Sequence, residues 1–154
     1  MDGDAVIIGI GDERRRDDGV GLAIARTLAT RELCPAVRVE EAGHEGFDLP
    51  AALESAARAV ILAAVKLGAP PGTVHVLSPA DAEARADYLS PAGAMALIDA
   101  LELAALLGAA SEVLIVGVEP AEVVPGMTLS PQVAAAVERA AQIALDVALR
   151  DCER

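Results

Sequence analysis

The sequence predicts an α/β fold, a three-layer α/β/α sandwich in which helices cover both faces of a mostly parallel sheet. Short apolar runs rich in β-branched residues recur at 6–10, 59–65 and 111–118, and such runs fill strands that are buried on both faces. Segments with helical spacing of apolar residues lie between them, after glycine-containing turns. A chain of 154 residues is long enough for one full core, so we expect a single domain over residues 1–154.

The first strand, turn and helix are the stretch around which the chain is organised. A short apolar strand ends at Ile10, and a polar turn containing glycine leads to a helix expected over 18–29. Asp17 and Asp18 stand at the start of that helix, where a carboxylate can accept hydrogen bonds from free N–H groups and is favoured by the helix dipole. The pair is interpreted either as a helix cap or as a site for a metal ion or a cationic group.

A phosphate-binding role for this turn is disfavoured. The dinucleotide fingerprint requires a third glycine where this chain has Arg14, and the lysine-containing phosphate loop is absent. Two carboxylates at the helix start would also repel a phosphate. The consecutive cations Arg14, Arg15 and Arg16 could hold an anionic ligand or an acidic peptide, although such runs are more often solvated or paired with nearby acids.

The remaining elements follow from the same patterns. A strand over 37–41 precedes a polar turn and a helix to about residue 57. Ser130 is a good N-cap, with Pro131 as the first residue of a closing helix. The other predicted elements are strands at 59–65, 73–77 and 111–118, a polar surface connection at 78–87 and a long helix at 91–107.

Composition narrows the classes of partner. The net charge of −12 argues against nucleic acid and against an anionic membrane, and no apolar run approaches the roughly 20 residues that span a bilayer. The start of the chain lacks the pattern of a secretion signal, so a cytoplasmic protein is expected. Cys34 and Cys152 lie far apart, and their spacing indicates neither a zinc site nor a disulfide framework.

Three stretches resemble motifs of the hydrogenase maturation proteases. The first is GIGDERRRDDGVG at 9–21, which matches the spacing of the family's opening motif with Asp12 in place of the usual asparagine. The others are GAPPGTV at 68–74 and the run from Glu119-Pro120 to GMTLSP at 126–131. The resemblance spans nearly the whole chain and implies the phosphorylase/hydrolase-like form of the predicted sandwich.

The resemblance also implies an activity and a set of metal ligands. Members of this family resemble endopeptidases that remove a C-terminal extension from the large subunit of a nickel-iron hydrogenase whose nickel is already inserted. Asp18 matches the first of the family's three metal ligands. The second and third fall on Ala63 and on Gly93 or a neighbour, so two ligands are missing and the chain is a divergent member. A lone exposed carboxylate would bind a divalent ion weakly, and the usual peptidase site is degenerate.

Three hypotheses follow. In the first, a relocated site uses Asp18 and His44, with Glu45 or Asp12 as a further carboxylate, and holds zinc or substrate-borne nickel for metal-assisted cleavage or for metal sensing. In the second, a non-catalytic binding or scaffold protein recognises the large-subunit precursor or another maturation protein. In the third, the same fold binds an unrelated small ligand.

No residue is assigned a catalytic role, because no serine or cysteine stands in a nucleophile motif. His75 is expected to be structural. The residues expected to contact substrate are Asp12, Asp17, Gly43 and Glu45.

Overall fold

The computed structural model describes residues 4–43, 53, 56–89, 99, 102, 106 and 112–150. Its strands are β1 (Ala5–Ile10), β2 (Val37–Gly43), β3 (Arg58–Lys66), β4 (Val74–Leu77), β5 (Tyr88–Leu89) and β6 (Glu112–Val118). Its helices are α1 (Val20–Ala29), α2 (Pro79–Arg85) and α3 (Pro131–Leu149), and a 3₁₀ turn (Arg16–Gly19) precedes α1. The alternation of strands and helices that the sequence predicts is therefore confirmed.

The sheet is mostly parallel, as predicted. Its strand order is β2-β1-β3-β6-β4. The first four strands in that order are parallel neighbours, whereas β4 runs antiparallel to β6 and the short β5 runs antiparallel to β3. The chain order reverses between β1 and β3, and the carboxyl ends of two such strands are where open α/β sheets bind ligands.

The core lies on both faces of the sheet. Ile7 and Val60 pack on one face with residues of α1 and α3, and Ile8 and Ile61 pack on the other face with Leu53 and neighbours. Strand β3 is buried along its whole apolar stretch, 59–65. Burial on both faces explains why β3 reads as a continuous apolar run and not as an alternating one.

Two predicted elements differ from the structure. The segment 78–87, predicted as a surface connection, contains α2. The Ser78 side chain caps this helix by accepting a hydrogen bond from the Asp81 N–H at 3.1 Å, and Ala82 is its only buried residue. With so little apolar surface to bury, the segment shows no helical stripe. In addition, the helix expected from residue 18 begins at Val20, because Arg16–Gly19 forms the 3₁₀ turn.

The long helix predicted at 91–107 lies largely outside the described residues. Asp99, Glu102 and Leu106 are the positions described there, and each has helical backbone. Within the described chain, no helix is long and apolar enough to cross a membrane.

Candidate functional site

Helix α1 packs closely against the end of β1 and the middle of β3. A β-carbon added at Gly21 would lie 2.2 Å from the carbonyl oxygen of Leu62 and 2.4 Å from that of Ile10. Only a glycine allows the first turn of α1 to approach these strands so closely. The residues just before that turn, Asp17 and Asp18, are consequently held where the strand order reverses.

Asp17 clamps a distant loop. Its side chain is fully buried and accepts hydrogen bonds from the N–H groups of Ala121 (2.8 Å), Glu122 (2.8 Å) and Ser130 (2.7 Å), and from the Ser130 hydroxyl (2.8 Å). The Asp17 N–H also donates to the Glu122 carbonyl at 3.1 Å. All these partners lie in the β6–α3 loop (residues 119–130), so Asp17 is a structural residue of that loop and its predicted role as a cap of α1 is wrong.

The hydrogen bonds that Asp17 accepts favour its ionised form. Burial raises the pKa of the Asp17 carboxyl, but the hydrogen bonds from the backbone of Glu122, from Ser130 and from the backbone of Ala121 outweigh it and lower the pKa below its usual value. Because its oxygens already accept from these donors and its pKa is lowered, Asp17 is poorly suited to remove a proton from water.

Asp18 is also fully buried, and its Oδ2 accepts a hydrogen bond from the Asp12 N–H at 2.9 Å. The N-cap position of α1 is held by Gly19, the residue that follows Asp18. The expectation that Asp18 is an exposed carboxylate is wrong, because the turn between residues 12 and 18 folds back over it.

The arginine turn is docked against the same loop. The Arg16 N–H donates to the Gly126 carbonyl, and the Gly126 N–H donates to the Arg14 carbonyl, both at 2.9 Å. Arg14 forms an ion pair with Asp12 at 3.0 Å, and Arg16 forms one with Glu122. These two arginines are thus paired with nearby acids, as one sequence interpretation predicts.

An open cleft of about 390 Å³ lies beside Asp12, at the carboxyl ends of β1 and β2. Arg26 bridges Glu13 and Glu41 there, and these two carboxylates raise the pKa of Arg26 above its usual value. The remaining lining residues are Gly11, Asp12, Arg14 and Leu22. Of the predicted substrate-contacting residues, the structure places Asp12 in this cleft, whereas Asp17 is buried under the loop.

Glu119 is a buried carboxylate that sequence reasoning did not select. It accepts hydrogen bonds from the N–H groups of Leu67 (3.0 Å) and Gly68 (3.3 Å), and its Oε1 lies 3.0 Å from His75 Nε2. It therefore fixes the turn between β3 and β4, and His75 is structural as expected. An acidic residue directly after the apolar run 113–118 was the signal available in the sequence.

The described residues do not fit the family's metal centre. Ala63, at the second ligand position, is fully buried and apolar. Within 4–43, 56–89, 112–150 and the isolated described positions, no three His, Cys, Asp or Glu residues are grouped so as to hold a metal ion. Gly43 pairs with Ile10 at the end of β2, whereas His44, Glu45 and Gly93 lie outside the described residues.

Comparisons with known proteins agree with the fold and the motifs. A family model described as HycI, hydrogenase maturation protease, matches residues 22–147. The hydrogenase expression/formation protein HupM of Azotobacter chroococcum mcd 1 is 35% identical over 147 residues, which cover 91% of this chain and 69% of HupM.

Solved structures of the same family superpose on the chain. The [NiFe] hydrogenase maturation protease HybD from Thermococcus kodakarensis is 31% identical with a TM-score of 0.77, covering 94% of this chain and 98% of that one. The hydrogenase maturating endopeptidase HybD from E. coli has a TM-score of 0.83 at 24% identity, covering 96% and 93% of the two chains, and shows the shared fold. This chain belongs to the hydrogenase maturation protease family.

Proposed function

We propose that this chain binds the large-subunit precursor of a nickel-iron hydrogenase, or a related maturation protein, without cleaving it. The observation that carries the proposal is the setting of Asp18. Its carboxylate is buried and accepts a hydrogen bond from the Asp12 N–H, and the strand that bears the second ligand position is apolar throughout 59–65. A metal centre built on Asp18 would need further ligands that this part of the chain does not supply.

Two described side chains of the nucleophile type, Ser130 and Cys34, are not arranged for peptide hydrolysis. A protease that attacks the peptide through its own serine or cysteine requires a base next to that nucleophile. Ser130 donates its hydroxyl hydrogen to the low-pKa carboxylate of Asp17, and both are buried under the loop. Cys34 is an exposed free thiol in the connection between α1 and β2. Neither residue forms a nucleophile and base pair that faces a cleft.

Membership of the family supports the choice of partner. The solved relatives are named as hydrogenase maturation proteases, and the present chain shares their fold. The edge of the sheet at the carboxyl ends of its parallel strands, with the cleft beside Asp12, is where a ligand of this fold is expected to bind. Nickel enters such a complex as cargo of the precursor.

The test mixes the purified protein with the nickel-loaded large-subunit precursor from the same organism. Complex formation is followed by size-exclusion chromatography with light scattering, and the intact mass of the precursor is measured before and after incubation. A family member that retains all three ligands serves as the positive control for cleavage. We expect a stable complex and an unchanged precursor mass. A shortened precursor, or no complex, would overturn the proposal.

A relocated metal site is the second candidate, favoured by one observation. Gly43, the residue before His44, is paired with Ile10, two residues before Asp12. Recruiting Asp12 as a ligand would require breaking its ion pair with Arg14. This candidate predicts shortening of the precursor that chelator abolishes and that His44→Ala abolishes as well, whereas the main proposal predicts no shortening in any sample.

A further inference from the structure

The β6–α3 loop exposes apolar side chains at the edge of the sheet where the carboxyl ends of the parallel strands lie. Met127 is 70% exposed and Val124 is 46% exposed. Among the described residues, the other large exposed hydrophobic side chains are Val76 and Leu106, which lie on other elements. Two of the four thus lie on one loop, and together with Arg15 they define what we call the Met127 patch.

The exposure of this patch is built into the fold. Asp17 holds the loop at residues 121, 122 and 130, and Gly126 makes two backbone hydrogen bonds to the arginine turn. Met127 follows Gly126 directly, so it stands on a backbone fixed from two sides. A loop that is already ordered loses little conformational entropy on binding, which favours an interaction surface.

Arg15 gives the patch its charge. It pairs with Gly126 through an isolated bridge, and its Nη2 lies 3.5 Å from the Val123 carbonyl oxygen. Its neighbours Arg14 and Arg16 form ion pairs with Asp12 and Glu122, whereas Arg15 forms no ion pair with an acid of the described chain. In a protein of net charge −12, an exposed cation beside an exposed methionine is complementary to an apolar side chain that adjoins a carboxylate.

We propose that the Met127 patch docks the precursor through a segment that presents a carboxylate beside an apolar side chain. This inference rests on the proposed function and adds the surface and the chemistry of recognition. Met127 and Val124 bury the apolar side chain, and Arg15 pairs with the carboxylate.

The experiment measures the Kd for the nickel-loaded precursor by biolayer interferometry at low and high salt. The variants are Met127→Ser and Arg15→Glu. The matched controls are Leu106→Ser, an exposed apolar residue elsewhere, and Arg139→Glu, an exposed arginine of α3 whose replacement changes the net charge equally. All altered side chains are exposed, and urea unfolding confirms that each variant is folded.

We expect each patch variant to weaken binding about tenfold, and each control to change it less than about twofold. The loss in Arg15→Glu should shrink at high salt, because an exposed ion pair is screened, whereas the loss in Met127→Ser should persist. If the wild-type protein binds and the patch variants bind equally well, the docking surface is wrong and the proposed function stands. If the wild-type protein binds nothing, both are overturned. Dimerisation of this chain that Met127→Ser abolishes would assign the patch to a second copy and also overturn the inference.

Discussion

Asp17 and Asp18 are chain neighbours with the same complete burial, yet they belong to different parts of the molecule. Asp17 accepts hydrogen bonds from residues 104 to 113 positions later, and so joins the 3₁₀ turn to the β6–α3 loop. Asp18 accepts from Asp12, six positions earlier, within the turn itself. An acidic pair before a helix can therefore split into one carboxylate that fixes a remote loop and one that stays at the strand ends.

Glu119 has the same kind of structural role as Asp17. Both are buried carboxylates that satisfy backbone N–H groups of another segment, Asp17 in the β6–α3 loop and Glu119 in the turn after β3. Together they fix the two loops that flank the carboxyl ends of β3 and β6. Maintaining this edge of the sheet does not require a metal centre.

The largest effect is expected for Asp17→Asn. The amide has nearly the shape of the carboxylate, but its NH₂ group would face N–H donors that need an acceptor. Leaving such buried donors unsatisfied should lower the free energy of unfolding by about 3 kcal/mol or more. Urea unfolding measures this loss. The control Asp81→Asn, at an exposed position of α2, should stay within about 0.5 kcal/mol of the wild type. An equally small loss for Asp17→Asn would show that the loop is held by other contacts.

A smaller loss is expected for Glu119→Gln. One of the two oxygens of Glu119 is replaced by an NH₂ group next to the N–H groups of Leu67 and Gly68, so we expect a loss of about 2 kcal/mol. The matched control is Glu83→Gln on the exposed side of α2. If the two substitutions cost the same, Glu119 does not share the role of Asp17.

The variant Ser130→Ala tests whether the Ser130 hydroxyl stabilises the fold through its hydrogen bond to Asp17 or as a helix cap. Ser130 occupies the N-cap position of α3, as the sequence predicts, but its side chain makes no capping bond and donates to Asp17 instead. Removing the hydroxyl should cost about 1 kcal/mol. In the Asp17→Asn background the same change should cost much less, and this double-mutant cycle, measured by urea unfolding, reports the coupling. If the losses of unfolding free energy are additive, the Ser130 hydroxyl does not stabilise the fold through Asp17.

The smallest expected effect is the pH dependence of the free energy of unfolding. The pKa of Asp17 is lowered in the folded state, so its ionisation contributes stability above the unfolded pKa of about 3.9, and this contribution is lost as the pH falls through the folded pKa. The difference in unfolding free energy between wild type and Asp17→Asn should therefore narrow as the pH is lowered from about 5 to about 2. Urea titrations across this range test the sign. A difference that grows on acidification would contradict the lowered pKa.

The fold could be predicted from the sequence because its strands are buried on both faces and its turns carry glycine. Strand β3 reads as one apolar run for that reason, and Gly21 in the opening motif marks the close approach of α1 to the sheet. The long-range partners could not be predicted, since no local pattern shows that Asp17 reaches residue 130. The role of Glu119 could not be predicted either, because it depends on a turn that lies about 50 positions earlier in the chain.

The most direct test of the account is calorimetry of zinc and nickel binding to the wild type, Asp18→Ala and His44→Ala. We expect no saturable heat in any of the three at metal concentrations on the order of micromolar, where a site with a binding free energy of about −8 kcal/mol would be detected. Binding by the wild type that is lost in both variants would contradict the account. That result would establish a metal site shared by Asp18 and His44, and would make cleavage of the precursor the leading function.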